Sequence, residues 1–266
     1  MSPSGPSSLA SLDGVIMAAA EASIPATDEG LLRGDGVFEV IRVYDGHPFA
    51  FEAHLRRLQS SADNLRLPLD LESVRADAHR LLADAGGGPD HDALRIVITR
   101  GGRRLLLTEA IPPTRETIRL ASVTYAPTRI LDGVKSLSYG PNILATRLAQ
   151  ERGYDEALLV TPHGRVLEAP TSSLFWVKDG SLLTPPLDDH ILASITRALV
   201  IEEAHASEQA CTLPDLAAAD EVFLASTIRE VQPVVAVDDT VFDGSGPVTA
   251  RAAAAMQERI RSELAG

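Results

Sequence analysis

The 266-residue sequence holds a single cysteine, Cys211, so no disulfide can close within the chain, and that scarcity fits a reducing compartment such as the cytoplasm. It contains no run of about 18 apolar residues, so no membrane-spanning helix is expected. Basic residues are outnumbered 24 to 37, for a formal charge of −13. Affinity for nucleic acid or an anionic membrane surface needs clustered positive charge, and neither partner is expected. The opening MSPSGPSSLAS lacks the basic and apolar regions of a secretory signal, and residues 1–10 read as a disordered lead-in. No metal site is expected. Lysine is nearly missing too: the basic residues are 22 arginines and two lysines, Lys135 and Lys178.

What is present reads as an ordinary globular protein, 45% hydrophobic and 23% charged, long enough for one large domain or two modest ones. Asp13-Gly14 and Asp45-Gly46 are hairpin turns between strand-like runs, the second joining VFEVIRVY to HPFAF. Leu55, Leu58, Ala62 and Leu65 stand at helical spacing, and LESVRADAHRLLADA predicts a second helix ended by GGG. ALRIVITRG and TIRLASVTY read as strands, with GRRLLLTEA as a loop after the first. Residues 1–125 thus form an expected N-terminal α+β domain, 126–133 a linker, and 134–266 a larger, mixed α/β domain with helices at PNILATRLAQERG, ITRALVIEEAHA and the C-terminus.

Lys178 sits beside the Asp179-Gly180 turn, where a solvated charge is the ordinary reading. Lys135, in GVKSLSYGPNILA, is different. Arginine serves wherever else this chain needs positive charge, and arginine cannot lose its proton, whereas lysine can become a nucleophilic amine. Glu168 ends a strand-like stretch ahead of a small-residue turn. Ser194-Ile195-Thr196 opens a helix, whose free N–H groups favour an anion. Ser226 and Thr227 add hydroxyls at a strand end, and Arg57 adds a partly buried cation. An amine, an acid for a ring nitrogen and a phosphate cradle together are the needs of pyridoxal 5′-phosphate.

Six segments in order resemble the class IV aminotransferases, the fold-type IV pyridoxal-phosphate enzymes: RGDGVFEVIRVYDG, HLRRL, KSLSYGPNILA, DEALLVTPHGRVLEAPTSSLFWVKDGSLLTPP, ILASITR and STIREVQPV. The resemblance implies the two-domain fold of D-amino-acid aminotransferases, pyridoxal phosphate as cofactor, and a homodimer. It implies that Lys135 is the Schiff-base lysine, that Glu168 holds the ring nitrogen and that Tyr139 bonds the ring hydroxyl. Arg57, Ile195, Thr196, Ser226 and Thr227 would bind the cofactor's phosphate end, and Leu192 would pack on the ring. Three positions depart from the family pattern. Ala169 stands where glycine is usual, Ser173 where asparagine is usual, and Ser194 again replaces glycine.

Within that family the expected reaction is transfer of an amino group between an amino acid and a 2-keto acid. Phe38, Val40 and Arg42 share one face of the VFEVIRVY strand. An aminodeoxychorismate lyase typically has a proton-relaying threonine where Val40 stands, so the lyase is the second choice. A non-catalytic cofactor-binding paralogue is a third. Arg33, Arg103 and Arg104, with Arg42, are candidates for the substrate carboxylate, and the handedness of the substrate stays open between D-amino acids and branched-chain L-amino acids.

Overall fold

The computed structural model describes residues 8–265. They form two compact units: residues through Pro113 together with Gly133–Tyr139, and Thr114–Asp132 together with Gly140–Ala265.

The first unit is an antiparallel six-stranded sheet with three helices. Its strands are β1 (Leu9–Leu12), β2 (Val15–Ala18), β3 (Gly36–Tyr44), β4 (His47–Pro48), β5 (Ala93–Thr99) and β6 (Arg104–Glu109), in the order β2-β1-β6-β5-β3-β4. The Asp13-Gly14 and Asp45-Gly46 turns have positive φ at both residues, the backbone that tight hairpins demand. α1 (Glu29–Arg33) precedes β3, and α2 (Phe51–Asn64) and α3 (Leu71–Ala85) follow β4. Asp70 caps α3 by accepting from the Ser73 N–H, and Gly86 ends it in the left-handed conformation. Leu55, Leu58 and Ala62 of α2 join Val37, Ile41 and Val43 of β3 in an apolar cluster with Leu81, Leu94, Ile96 and Leu106. Leu65 falls just past the end of α2.

The second unit is built on a ten-stranded mixed sheet. Its strands are β7 (Ile118–Thr124), β8 (Glu156–Val160), β9 (Arg165–Val166), β10 (Ser173–Lys178), β11 (Ser181–Thr184), β12 (Ser207–Glu208), β13 (Cys211–Thr212), β14 (Glu221–Ser226), β15 (Glu230–Val237) and β16 (Thr240–Val241). Its helices are α4 (Gly140–Glu151), α5 (Ile195–Ala204), α6 (Leu213–Ala217) and α7 (Pro247–Leu264). β7 runs parallel to both β8 and β15 at the middle of the sheet. Phe175 and Phe223, directly paired on β10 and β14, stack with ring centroids 5.0 Å apart.

Three local expectations change. Residues 1–7 of the expected lead-in lie outside the described residues, but from Leu9 the chain is strand, held between β2 and β6. GRRLLLTEA is not a loop. Residues 104–109 are β6, whose charge at Arg104 is met by Asp77 of α3. TIRLASVTY is a strand as expected, but its partners belong to the second unit, because strands beginning at Glu156 and Glu230 supply its hydrogen bonds.

Candidate active site

In the first unit, β3 organises the candidate residues. Its pleat sends Val37, Glu39, Ile41 and Val43 to the core and Phe38, Val40 and Arg42 to the opposite face. The Lys135 segment is laid along this strand as a strap. The Phe38 N–H donates to the Lys135 carbonyl at 3.0 Å, the Leu137 N–H donates to the Gly36 carbonyl at 2.9 Å, and Val37 pairs with Ser136. The Lys135 N–H donates in turn to the Ser61 hydroxyl of α2 at 3.1 Å. With its backbone fixed on both sides, Lys135 places Nζ 4.5 Å from the centre of the Phe38 ring. Tyr139 meets the same ring edge-on, centroids 5.4 Å apart. The strap tolerates no side chain at Gly36, where a Cβ would lie 2.4 Å from the Ile98 carbonyl oxygen and 2.6 Å from Leu137 Cδ1.

On the core face, Glu39 is fully buried in an otherwise apolar run, and two residues of α2 meet its charge. Arg57 presents its Nε–Nη2 edge to the two carboxylate oxygens, both at 2.7 Å, and His54 Nδ1 lies 2.8 Å from Oε2. Burial pushes the Glu39 carboxyl upward, but the Arg57 charge and hydrogen bonds, helped by His54, outweigh it and hold the group at about 2. Burial pushes His54 the other way, below its ordinary value. Glu39 thus fixes one edge of the Arg57 guanidinium and aims the other edge.

The four arginines considered for a substrate carboxylate fare differently. Arg103 is paired with Asp13 at 2.7 Å and Arg104 with Asp77 at 2.5 Å, contacts that fasten β6 to the first hairpin and to α3. Each guanidinium is thus engaged in a contact that holds the fold. Arg33 is 74% exposed at its side chain and pairs with Glu29 one helical turn away. Arg42 stands on the Phe38 and Val40 face, its guanidinium over the Tyr44 ring, and its buried Nε has no hydrogen-bond partner among the described residues.

In the second unit, Glu168 follows β9, and its Oε1 accepts from the Leu192 N–H at 3.0 Å, which ties the acid to the residue expected on the ring face. Ala169 and Ser172 pair across the turn that follows. α5 begins at Ile195. Ser194 caps it by accepting from Arg197 N–H at 3.2 Å, and the first in-helix bond runs from Ala198 N–H to the Ser194 carbonyl. The N–H groups of Ile195 and Thr196 precede that bond, as an anion site requires. Ser226 ends β14 and Thr227 begins the turn to β15, where the Ser226 hydroxyl accepts from the Arg229 N–H at 3.3 Å. The donor set is therefore an amine and a guanidinium in one unit, and a carboxylate, a helix start and two hydroxyls in the other. Those groups fit pyridoxal phosphate, whose aldehyde, ring nitrogen and phosphate each need one of them.

Residues 36–237 match the family Amino-transferase class IV. The chain belongs to that family. A Methanocaldococcus jannaschii protein, provisionally named a branched-chain-amino-acid aminotransferase, is 35% identical to this class IV aminotransferase, the match covering 87% of this chain and 88% of the other. A D-alanine aminotransferase of Listeria innocua is 34% identical over 87% of this chain and 89% of its own. Among solved structures, the fold IV-transaminase of Curtobacterium pusillum superposes with a TM-score of 0.84 at 30% identity, covering 94% of this chain and 98% of that one. A 4-amino-4-deoxychorismate lyase from Pseudomonas aeruginosa gives 0.81 at 29% identity, covering 96% and 99%. The fold is that of the fold-type IV enzymes, and it is shared by transaminases and lyases alike.

Sequence reasoning passed over Glu39 and His54, although a lone carboxylate on the buried face of an apolar strand is a legible signal. It also passed over Ser61, Glu156 and Arg229, whose partners are distant in sequence.

Proposed function

We propose that this class IV aminotransferase binds pyridoxal phosphate and transfers an amino group between an amino acid, either a D-amino acid or a branched-chain L-amino acid, and a 2-keto acid. The observation that carries the reading is the strap that holds Lys135 with its amine over Phe38, on the face of β3 opposite the core. When bound, the cofactor supplies a conjugated ring able to accept the electron pair left as the substrate loses its α-proton. Lys135 is its covalent anchor and then the general base, its Nζ holding and passing on the proton taken from the substrate α-carbon. Glu168, kept in place by the Leu192 N–H, holds the proton on the ring nitrogen. Tyr139 bonds the ring hydroxyl and Leu192 packs on a ring face. Arg57, the N–H groups of Ile195 and Thr196, and the hydroxyls of Ser226 and Thr227 hold the phosphate.

Val40 favours transamination over the lyase reaction, because a valine at that place has no proton to relay to a leaving group. Arg42 is the favoured partner for a substrate carboxylate, since its buried Nε has no hydrogen-bond partner among the described residues and it shares a face with Phe38 and Val40. Arg33 is the second candidate. A homodimer is supported by the exposed apolar side chains of this unit, Ile143, Leu144 and Leu148 on α4 and Ile130 before it. The reducing compartment suggested by the single cysteine is the cytoplasm.

The test is a half-reaction followed by absorbance. Cofactor-loaded protein is mixed separately with L-leucine, D-alanine, D-glutamate and aminodeoxychorismate. Conversion of the cofactor to its amino form by one handedness of amino acid, and its loss in Lys135→Ala, is the expected result. Release of pyruvate from aminodeoxychorismate without that conversion would assign the lyase reaction instead.

A further inference from the structure

One buried ion pair in the second unit is used by none of the roles above. Glu156 opens β8 and is 3% exposed. One carboxylate oxygen, Oε1, accepts from the Thr171 hydroxyl at 3.2 Å, and Oε2 is paired with Nη2 of Arg229. The rest of the Arg229 guanidinium is engaged as well: Nη1 donates to Gln232 Oε1 at 2.7 Å, and Gln232 Nε2 donates to the Arg115 carbonyl at 2.6 Å. Thr171 lies three residues after Glu168, in the turn closed by Ala169 and Ser172. Arg229 lies two residues after Thr227, and its own N–H is held by Ser226. The carboxylate of Glu156 therefore joins the turn behind the ring-nitrogen acid to the turn that offers hydroxyls to the phosphate, beyond the ladder in which Ser173 pairs with Ala225.

We propose that Glu156 and Arg229 are positioning residues for the cofactor, which lock the Glu168 turn and the Ser226-Thr227 turn at one fixed separation. The inference rests on the reading that this chain binds pyridoxal phosphate. A planar guanidinium bonded through both terminal nitrogens has one favourable orientation, and a carboxylate with both oxygens engaged has little freedom to follow a turn that shifts. A shift of the Arg229 turn takes the counter-charge from the buried Glu156 carboxylate, and a shift of the Glu168 turn takes its Thr171 hydroxyl. The pair is also a poor device for stability alone, because burial drives the Glu156 carboxyl above its ordinary range despite the opposing Arg229 charge. Its return is placement. Ser173, just after the Glu168 turn, has a buried hydroxyl with no hydrogen-bond partner among the described residues, so the turn is held by side chains through Thr171 on Glu156 and Asn142 on the Pro170 carbonyl.

The experiment compares how tightly the full-length apoprotein binds pyridoxal phosphate and phosphate-free pyridoxal, each titrated by absorbance, with the melting temperature recorded alongside. Arg229→Met should lower the ratio of the two affinities roughly tenfold, a size typical of contacts within one hydrogen-bonded network. The Thr227 turn then no longer meets the phosphate, while the ring contacts remain. Glu156→Leu combined with Arg229→Met removes both charges together, a change that leaves folding near neutral, and should lower the ratio equally. Arg152→Gln, which breaks the exposed pair with Asp238 in the same unit, should leave the ratio unchanged. A wild-type ratio in the double variant, whatever its melting temperature, overturns the inference. Failure of the wild-type apoprotein to bind either compound would overturn the cofactor reading itself, and that failure shows before any variant is made.

Discussion

Replacing Glu39 with glutamine tests whether the fully buried carboxylate is charged and paired, as its contacts with Arg57 and His54 require. A carboxyl held at about 2 rather than the ordinary 4.5 stabilises the folded state by about 3 kcal/mol at neutral pH, at about 1.4 kcal/mol per pH unit. Removing one partner of a buried ion pair leads independently to a cost of about 3–5 kcal/mol, and the slight exposure of Arg57 places this case near the lower end. The two routes agree. Because the folded value is depressed, the contribution is complete above about pH 4.5 and is lost as pH falls toward about 2. His54, lowered by burial against the opposing pull of Glu39, adds a loss that begins as pH drops below its ordinary 6.5. The assay is urea unfolding of the apoprotein, wild type against Glu39→Gln, at neutral pH and at about pH 3.5. The gap should be about 3 kcal/mol at neutral pH and narrower by about 1–1.5 kcal/mol in acid. A gap under about 0.5 kcal/mol at neutral pH, the size of an ordinary surface substitution, would refute the charged pair. So would a gap that ignores pH.

Other outcomes are as specific. Lys135→Ala should abolish turnover while leaving the fold intact, checked by activity and circular dichroism together. Arg104→Gln should leave KM for the amino donor near wild type and cost stability instead, by roughly 0.5–1.5 kcal/mol, because the buried Asp77 keeps Arg80 but loses one of its two arginines. A large rise in KM with unchanged melting would return Arg104 to the substrate site. Gly36→Ala should cost about 1–3 kcal/mol through overpacking against Ile98 and Leu137, and should lower kcat because the strap holding Lys135 must shift.

The parts of this protein that could be read from sequence are those encoded locally. The Asp-Gly hairpins, the apolar spacing of α2, the C-terminal glycine of α3 and the rarity of lysine all lie within a few residues of what they specify. The hidden parts depend on partners brought together from far apart. Arg103 and Arg104 looked available for a substrate because nothing nearby in sequence neutralises them, yet Asp13 and Asp77 do so through the fold. Two adjacent arginines likewise disguised the start of β6. The strand β7 announces itself by composition, but its allegiance is decided by β8 and β15, and parallel pairing leaves no short-range mark. Of the site residues, Lys135 and Glu168 stood out by chemical type. The partners that orient them, Ser61 for the strap and the Leu192 N–H for the acid, carry no signature in a single sequence.

The strap along β3 has a bearing on which changes in chain length this protein can accept. Lys135 faces Phe38 only because Val37 stands opposite Ser136, and side chains alternate at every step of an extended segment. One residue added or removed between Gly133 and Tyr139 would turn the amine to the opposite side while leaving the lysine in the sequence. The glycine-rich stretch after α3 has no comparable register to keep: a side chain at Gly86 or Gly88 would meet nothing within 4 Å. In a comparison of descendants of this chain, the spacing around Lys135 should hold constant where the loop at residues 86–88 grows and shrinks, so a lysine displaced by one position would mark a protein that has given up the chemistry.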